Sequence, residues 1–276
     1  MIRSILVGLD GSSFSVAAQE QGIAWAKRHD ALLVGLAVVD APDITQSGLV
    51  PLGGDAFKQQ RDEVLLAKAR TQVEQVLERF SLRCSEAQVP FKVLEDVGAP
   101  AVQIALEAQR YDLILLGQQT RFRFPTTDAP CDTLHEVLKN TPRPLVAVPE
   151  KLPAGNAVMI AYDGSLQAAR TLQMFVEAGL AGADPVHVVT VAPEGKDASR
   201  PADRALDFLH FHDVQGQRHV LHDKHVAETL LDHAGQLQAR LLVMGAYGKS
   251  ALHEFFLGSV TKTVLKKGTI PLFLYH

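Results

Sequence analysis

A short apolar run followed at once by Asp-Gly-Ser occurs twice in this chain. Residues 4–9 lead into Asp10-Gly11-Ser12-Ser13, and residues 158–162 lead into Asp163-Gly164-Ser165. Each run is rich in β-forming residues and too short for a helix. Each polar triplet is a turn and helix N-cap signal. A chain that starts the same strand–turn–helix unit twice is restricted to two copies of one fold.

The rest of the pattern obeys that restriction. In the first copy Phe14, Ala17, Ala18, Ala24 and Trp25 mark a helical face, and 31–39 reads as a buried strand closed by Asp40-Ala41-Pro42. Residues 43–58, with Gly48, Pro51, Gly53 and Gly54, read as loop. An amphipathic helix over 61–80, a strand over 91–94, a helix over 101–109 and a strand over 113–116 ending in Gly117 follow. A polar loop, a helix through Val137-Leu138 and a strand over 144–148 complete the copy.

Residues 149–155 (PEKLPAG) read as a linker, so the expected domains are 1–150 and 151–276. The second copy has strands over 158–162, 186–191, 219–221, 241–244 and 270–275, with a helix through Ala181 and a shorter one over 202–211. Ala227, Leu230, Leu231 and Ala234 share one further helical face. Regular strand–helix alternation predicts an α/β fold: a parallel sheet in each copy with helices on both faces. Right-handed crossovers leave a crevice at the C-terminal strand ends, where ligands bind. Asp163 and Gly245 both end strands, so both are expected there.

Composition narrows the function. The 276 residues are 47% apolar, enough for two substantial cores. A net charge of −4 gives no electrostatic pull toward nucleic acid. Cys84 and Cys131, the two cysteines, form no CxxC and no disulfide framework, which suits a reducing cytosol. No apolar run approaches the roughly 20 residues that cross a bilayer. The expectation is a cytoplasmic protein without nucleic-acid or membrane partners.

The stretch that carries chemistry starts at the strand over 241–244. Gly245 follows, then Gly248, nine further residues, and Gly258-Ser259 ahead of a helical spacing of Val260, Val264 and Leu265. Glycines at a strand end let a ligand approach the backbone without a Cβ in the way. Gly258-Ser259 at a helix start presents free N–H groups and the positive end of the helix dipole, a geometry suited to phosphate. Gly248-Lys249-Ser250 looks like the tail of a P-loop, but the leading glycine would fall at Val243, inside the strand.

Gly245-x2-Gly248-x9-Gly258-Ser259 resembles the nucleotide-binding signature of the universal stress proteins, in their ATP-binding branch. The resemblance covers nearly the whole chain as two tandem domains, and it implies two open α/β sandwiches, each with a five-stranded parallel sheet of order 3-2-1-4-5. It implies ATP as ligand, with or without Mg. Carried over to this chain, Ala161, Tyr162 and Asp163 hold adenine by main chain and ribose by carboxylate. Val191 is the apolar adenine contact. Met244, Gly245, Tyr247 and Gly248 surround ribose and phosphates, while Gly258, Ser259, Val260 and Thr261 hold the phosphates. The plain alternative is that the glycines only permit tight turns and Asp163 only caps a helix. The resemblance further implies antiparallel pairing of the two final strands within one chain, with a homodimer as a further assembly.

In the first copy Val7, Gly8, Leu9, Asp10 and Val38 match, but after Gly117 the chain reads Gln118-Gln119-Thr120-Arg121-Phe122-Arg123. Cys131 and Asp132 stand where Gly258 and Ser259 stand in the second copy. Asp132 would set a negative charge against phosphate, so this site is expected to be lost or remodelled. Arg121 and Arg123 belong either to a solvated loop or to a site for another anion.

Nine of eleven histidines lie in the second half, among them His210, His212, His219, His222 and His225, but their spacings match no zinc pattern. Lys249 and His253 are placed either to touch a phosphate or to face solvent. Nothing resembles a nucleophilic triad or a carboxylate pair, and Cys131 has only His135 a turn away. The expected function is therefore that of an ATP-binding stress sensor or adaptor, with at most slow ATP hydrolysis. Two rival readings are a ligand-free oligomerising scaffold, against which the intact glycine signature argues, and a nucleotide-dependent transferase or ligase, against which the missing catalytic set argues.

Overall fold

Ser12 starts the first helix through its side chain. In the computed structural model, which describes residues 1–46, 55–122, 124, 133–195, 197–246 and 258–276, Ser12 Oγ accepts the Ser15 N–H at 3.2 Å. The preceding strand β1 (Ser4–Gly8) is buried after its first residue. Helix α1 (Ser13–His29) ends on Lys27, Arg28 and His29, which complement the negative end of its dipole, and on Asp30 in the left-handed region.

The chain divides by its contacts into a unit of Arg3–Pro142 and a unit of Arg143–His276 with Met1–Ile2. In the first unit β2 (Leu32–Val39) is followed by α2 (Ala41–Gln46), α3 (Asp55–Ala87), β3 (Phe91–Val97), α4 (Pro100–Ala108), β4 (Leu113–Gly117) and α5 (Thr133–Asn140). The strands run parallel in the order β3-β2-β1-β4. Helices α1 and α3 cover one face: Gly22 of α1 lies against Leu33, and Phe80 of α3 against Gly35. Right-handed crossover from β3 past β1 to β4 puts α4 on the other face, and α5 packs beside it.

In the second unit the order along the chain is β5 (Leu145–Val148), β6 (Ala157–Ala161), α6 (Leu166–Ala178), β7 (Val186–Ala192), α7 (Ser199–Phe211), β8 (Gly216–His222), α8 (Val226–Gln236), β9 (Ala239–Gly245), α9 (Ser259–Lys267) and β10 (Leu272–Tyr275). Strands β8-β7-β6-β9-β10 are parallel neighbours in that order, the 3-2-1-4-5 arrangement. Strand β5 runs antiparallel to β10, with Val146 opposite Phe273. Phe175 of α6 meets Phe273 edge-on at 5.9 Å beneath this sheet. Among the described residues no helix is long and apolar enough to cross a membrane.

The loop expected over 43–58 is corrected at both ends. Asp40 does not only close a strand: its Oδ1 accepts the Asp43 N–H at 3.1 Å and opens α2, whose first turn tolerates Pro42. Residues 55–58 already belong to α3, which is longer than the amphipathic 61–80 at both ends. The apolar stripe runs from Ala69 through Val73, Val76, Leu77, Phe80 and Cys84 to Ala87; toward the N-terminus Phe57 and Val64 are exposed, so the periodicity that reveals a helix is lost at that end. Gly48, Pro51, Gly53 and Gly54 lie outside the described residues. Strands β3 and β8 are also longer than expected, because half their side chains face solvent and interrupt the apolar run.

Candidate functional site

Four elements of the second unit end around one cavity of about 350 Å³. Strand β6 delivers Ala161 and then Tyr162, whose N–H donates to Val189 C=O at 2.9 Å and whose C=O accepts the Thr190 hydroxyl at 2.7 Å. Asp163 begins the turn. Its Oδ1 accepts the Ser165 N–H at 2.9 Å, and Gly164 takes the left-handed φ of +76° that the turn requires. Ser165 Oγ accepts the Ala168 N–H at 3.2 Å and caps α6, as Ser12 caps α1. Burial, and then the charge of Asp163, push the Tyr162 hydroxyl pKa up.

Val191 lies at the far end of β7. In a parallel ladder the N–H and C=O of one residue point to the same side and alternate along the strand. Because Val189 C=O serves Tyr162, Val191 two residues on faces the same side, beyond the last residue of β6 and over the cavity it lines. Val226 and Leu230, one turn apart on α8, add an apolar wall with Val189 and Ala168.

Met244 and Gly245 end β9 on the opposite side of the cavity. A Cβ on Gly245 would come within 3.1 Å of the Ala168 nitrogen, so the first turn of α6 presses on this position. Gly245 C=O accepts the Thr261 hydroxyl at 3.3 Å, which ties the end of β9 to the start of α9. Gly258 caps α9 with no side-chain hydrogen bond, and the first turn carries no acidic residue. The N–H groups of Ser259, Val260 and Thr261 therefore have no acceptor within the helix or from its cap, and these three residues line the cavity with Gly258. An N-terminus so arranged is electropositive without any cationic side chain.

Of the residues singled out by sequence, Ala161, Tyr162, Asp163, Val191, Met244, Gly245, Gly258, Ser259, Val260 and Thr261 come together on this cavity. Tyr247 and Gly248 lie outside the described residues, as do Lys249, His253, Arg123, Cys131 and Asp132. Ser165, Ala168, Val189, Val226 and Leu230 also line it and were not foreseen. Their sequence signals, an N-cap and apolar periodicity, are those of ordinary core residues. Only the fold shows that they front a cavity.

The histidines have another arrangement. Nδ1 of His187 on β7 lies 3.0 Å from Nε2 of His219 on β8, and His219 Nδ1 lies 3.2 Å from Nε2 of His233 on α8. His233 Nδ1 reaches Gln236 Oε1 at 3.3 Å, so three neutral imidazoles, each donating through Nδ1, satisfy the whole chain without an extra proton. Burial, reinforced by the neighbouring imidazoles, lowers the pKa of His187 and His219. Among the described residues no group of three His, Cys, Asp or Glu side chains is placed to hold a metal ion.

Comparison with known proteins agrees with the repeat. The model of the universal stress protein family matches residues 1–149 and again 156–276. A curated universal stress protein of Synechocystis sp. is 26% identical over 179 residues, which are 60% of this chain and 58% of that relative. The crystal structure of a universal stress protein from Archaeoglobus fulgidus superposes with a TM-score of 0.72 at 19% identity, over 99% of this chain and 97% of that one, a likeness of fold. With its family domain matched twice in succession, this chain belongs to the universal stress protein family as a tandem two-domain member.

Proposed function

We propose that the second domain binds ATP and that the protein acts as a cytoplasmic, nucleotide-responsive stress sensor or adaptor. The observation that carries this reading is the uncapped start of α9, acid-free and facing a cavity whose opposite walls are apolar. In this reading the N–H groups of Ser259, Val260 and Thr261 hold the phosphates, and Gly258, whose own N–H donates to Ala246 C=O at 3.4 Å, lets them approach without a Cβ in the way. Asp163 receives the ribose, and adenine lies against Val226 and Leu230 with its polar edge on the main chain of Val191. A cavity of about 350 Å³ is of the size that small-molecule sites occupy. Tyr247 and Gly248 belong to the same proposal through the glycine signature. Mg would travel with the phosphates.

Domain limits of 1–150 and 151–276 and intrachain pairing of the two domains through their final strands belong to the same reading. Among the described residues, no side chain on the cavity is placed as a general base for water other than Asp163, which already accepts a turn N–H. ATP turnover should therefore fall well below the usual enzyme range of about 1–1000 per second. Mass spectrometry of nucleotide released from denatured protein, followed by calorimetry with ATP, tests the proposal. One equivalent per chain is expected, and no binding at millimolar ATP would leave the scaffold reading in its place.

A further inference from the structure

The crevice of the first domain contains its own side chain. Strand register makes the two crevices comparable, whatever the second one binds. Gly8 pairs with Leu36 as Ala161 pairs with Val189, and the Leu9 N–H meets Leu36 C=O at 2.8 Å as Tyr162 meets Val189. Asp10 Oδ1 accepts the Ser12 N–H at 2.9 Å, as Asp163 accepts that of Ser165. The two scaffolds match up to the end of β4.

They part after Gly117. Thr120 returns both its N–H, at 3.2 Å, and its hydroxyl, at 2.8 Å, to Gly117 C=O, and this turn reverses the chain. The Arg121 N–H then donates to Asp10 Oδ2 at 2.6 Å, and Phe122 enters the crevice with 0% exposure. A Cβ on Gly8 would come 2.8 Å from Phe122 Cζ, so the ring lies against the bare Cα of Gly8. Phe122 also has a φ of +51°, a conformation bulky residues adopt only where the surroundings impose it. Val38 is fully buried, whereas its counterpart Val191 is half-buried beside an open cavity.

We propose that Phe122 is a built-in ligand of the first-domain crevice, clamped by the Arg121–Asp10 hydrogen bond and closing that crevice to outside planar ligands. Among the described residues, the buried ring is what distinguishes this crevice from the open cavity of the second domain, without any appeal to Cys131 or Asp132. It also assigns Asp10 a positioning role in place of a ligand contact.

The test uses the full chain carrying Phe122→Ala, with indole as the probe. Removal of a buried ring should lower the melting temperature by roughly 10 °C. The emptied crevice should take up one more equivalent of indole per chain than wild type and regain part of the lost melting temperature. In wild type, trypsin should spare the Arg121–Phe122 bond under conditions that cut it in Phe122→Ala, with fragments identified by mass. The wild-type protease measurement stands even where the variant fails to fold. Cleavage of that bond in wild type as fast as at exposed arginines would overturn the proposal. A folded Phe122→Ala that binds no extra indole would do the same.

Discussion

Gly258→Asp separates ligand binding from stability with a single side chain. Gly258 has φ −57° and ψ 148°, which any L-residue adopts, so the substitution brings no backbone strain. Asp is a favoured N-cap and would accept N–H groups at the start of α9, so the ligand-free protein should be as stable as wild type, or more so by up to about 1 kcal/mol. For a bound phosphate the same carboxylate is harmful twice. It occupies donors worth roughly 1.5–3 kcal/mol each as charge-assisted hydrogen bonds. It also sets a like charge several ångströms away, which costs on the order of a few kcal/mol at the effective dielectric of a partly open site. Loss of two donors alone weakens ATP at least about a hundredfold. Titration calorimetry with ATP, beside urea melts without ligand, reads both quantities. ATP affinity within about threefold of wild type would refute the assignment of phosphate to this helix. A fall in ligand-free stability with the loss of binding would show that the glycine serves the fold instead.

Other outcomes are open to simple measurements. Asp10→Ala should leave ATP affinity unchanged, since Asp10 serves the first domain, while the melting temperature falls because Ser12 and Arg121 lose their acceptor; weaker ATP binding in a folded variant would place the site in the wrong half. The lowered pKa values of His187 and His219 set the sign of a pH effect. The unfolded chain takes up protons near the ordinary value of 6.5 that the folded chain resists, so stability is full above that pH and declines as pH falls below it. Urea midpoints at pH 7.5 and 5.5 should show this decline, with a flatter profile in His219→Gln; a midpoint that rises on acidification would contradict the neutral imidazole chain.

How much was legible beforehand varies with the kind of interaction. The repeat, the parallel sheets and the strand ends at Asp163 and Gly245 could be read because they depend on local rules, whereas the fuller set of cavity residues was implied by the family resemblance. Val158 to Ile160 are apolar because a central strand is buried on both faces, and Ser165 follows Asp163 because a helix needs a cap. The glycines at 245 and 258 stand where a backbone is pressed closely or a helix starts without a side chain. Where a helix runs beyond its packing partner, as α3 does at its first turns, no periodicity marks its start.

What tertiary structure alone decided is the filling of space. Val226 and Leu230 have the spacing of core residues, and only the convergence of α8, β7 and α9 makes them a cavity wall. Phe122 sits in a polar loop between charged neighbours, where the sequence suggests a solvated turn. It is buried because Thr120 turns the chain and Asp10, more than a hundred positions earlier, holds the Arg121 N–H. Likewise the imidazoles of His187, His219 and His233 share no motif, yet β7, β8 and α8 bring them into one hydrogen-bonded chain. Local propensity is written in neighbouring residues and can be read from them. Whether a crevice stays open depends on contacts between residues far apart in the chain, which only the folded backbone brings within reach.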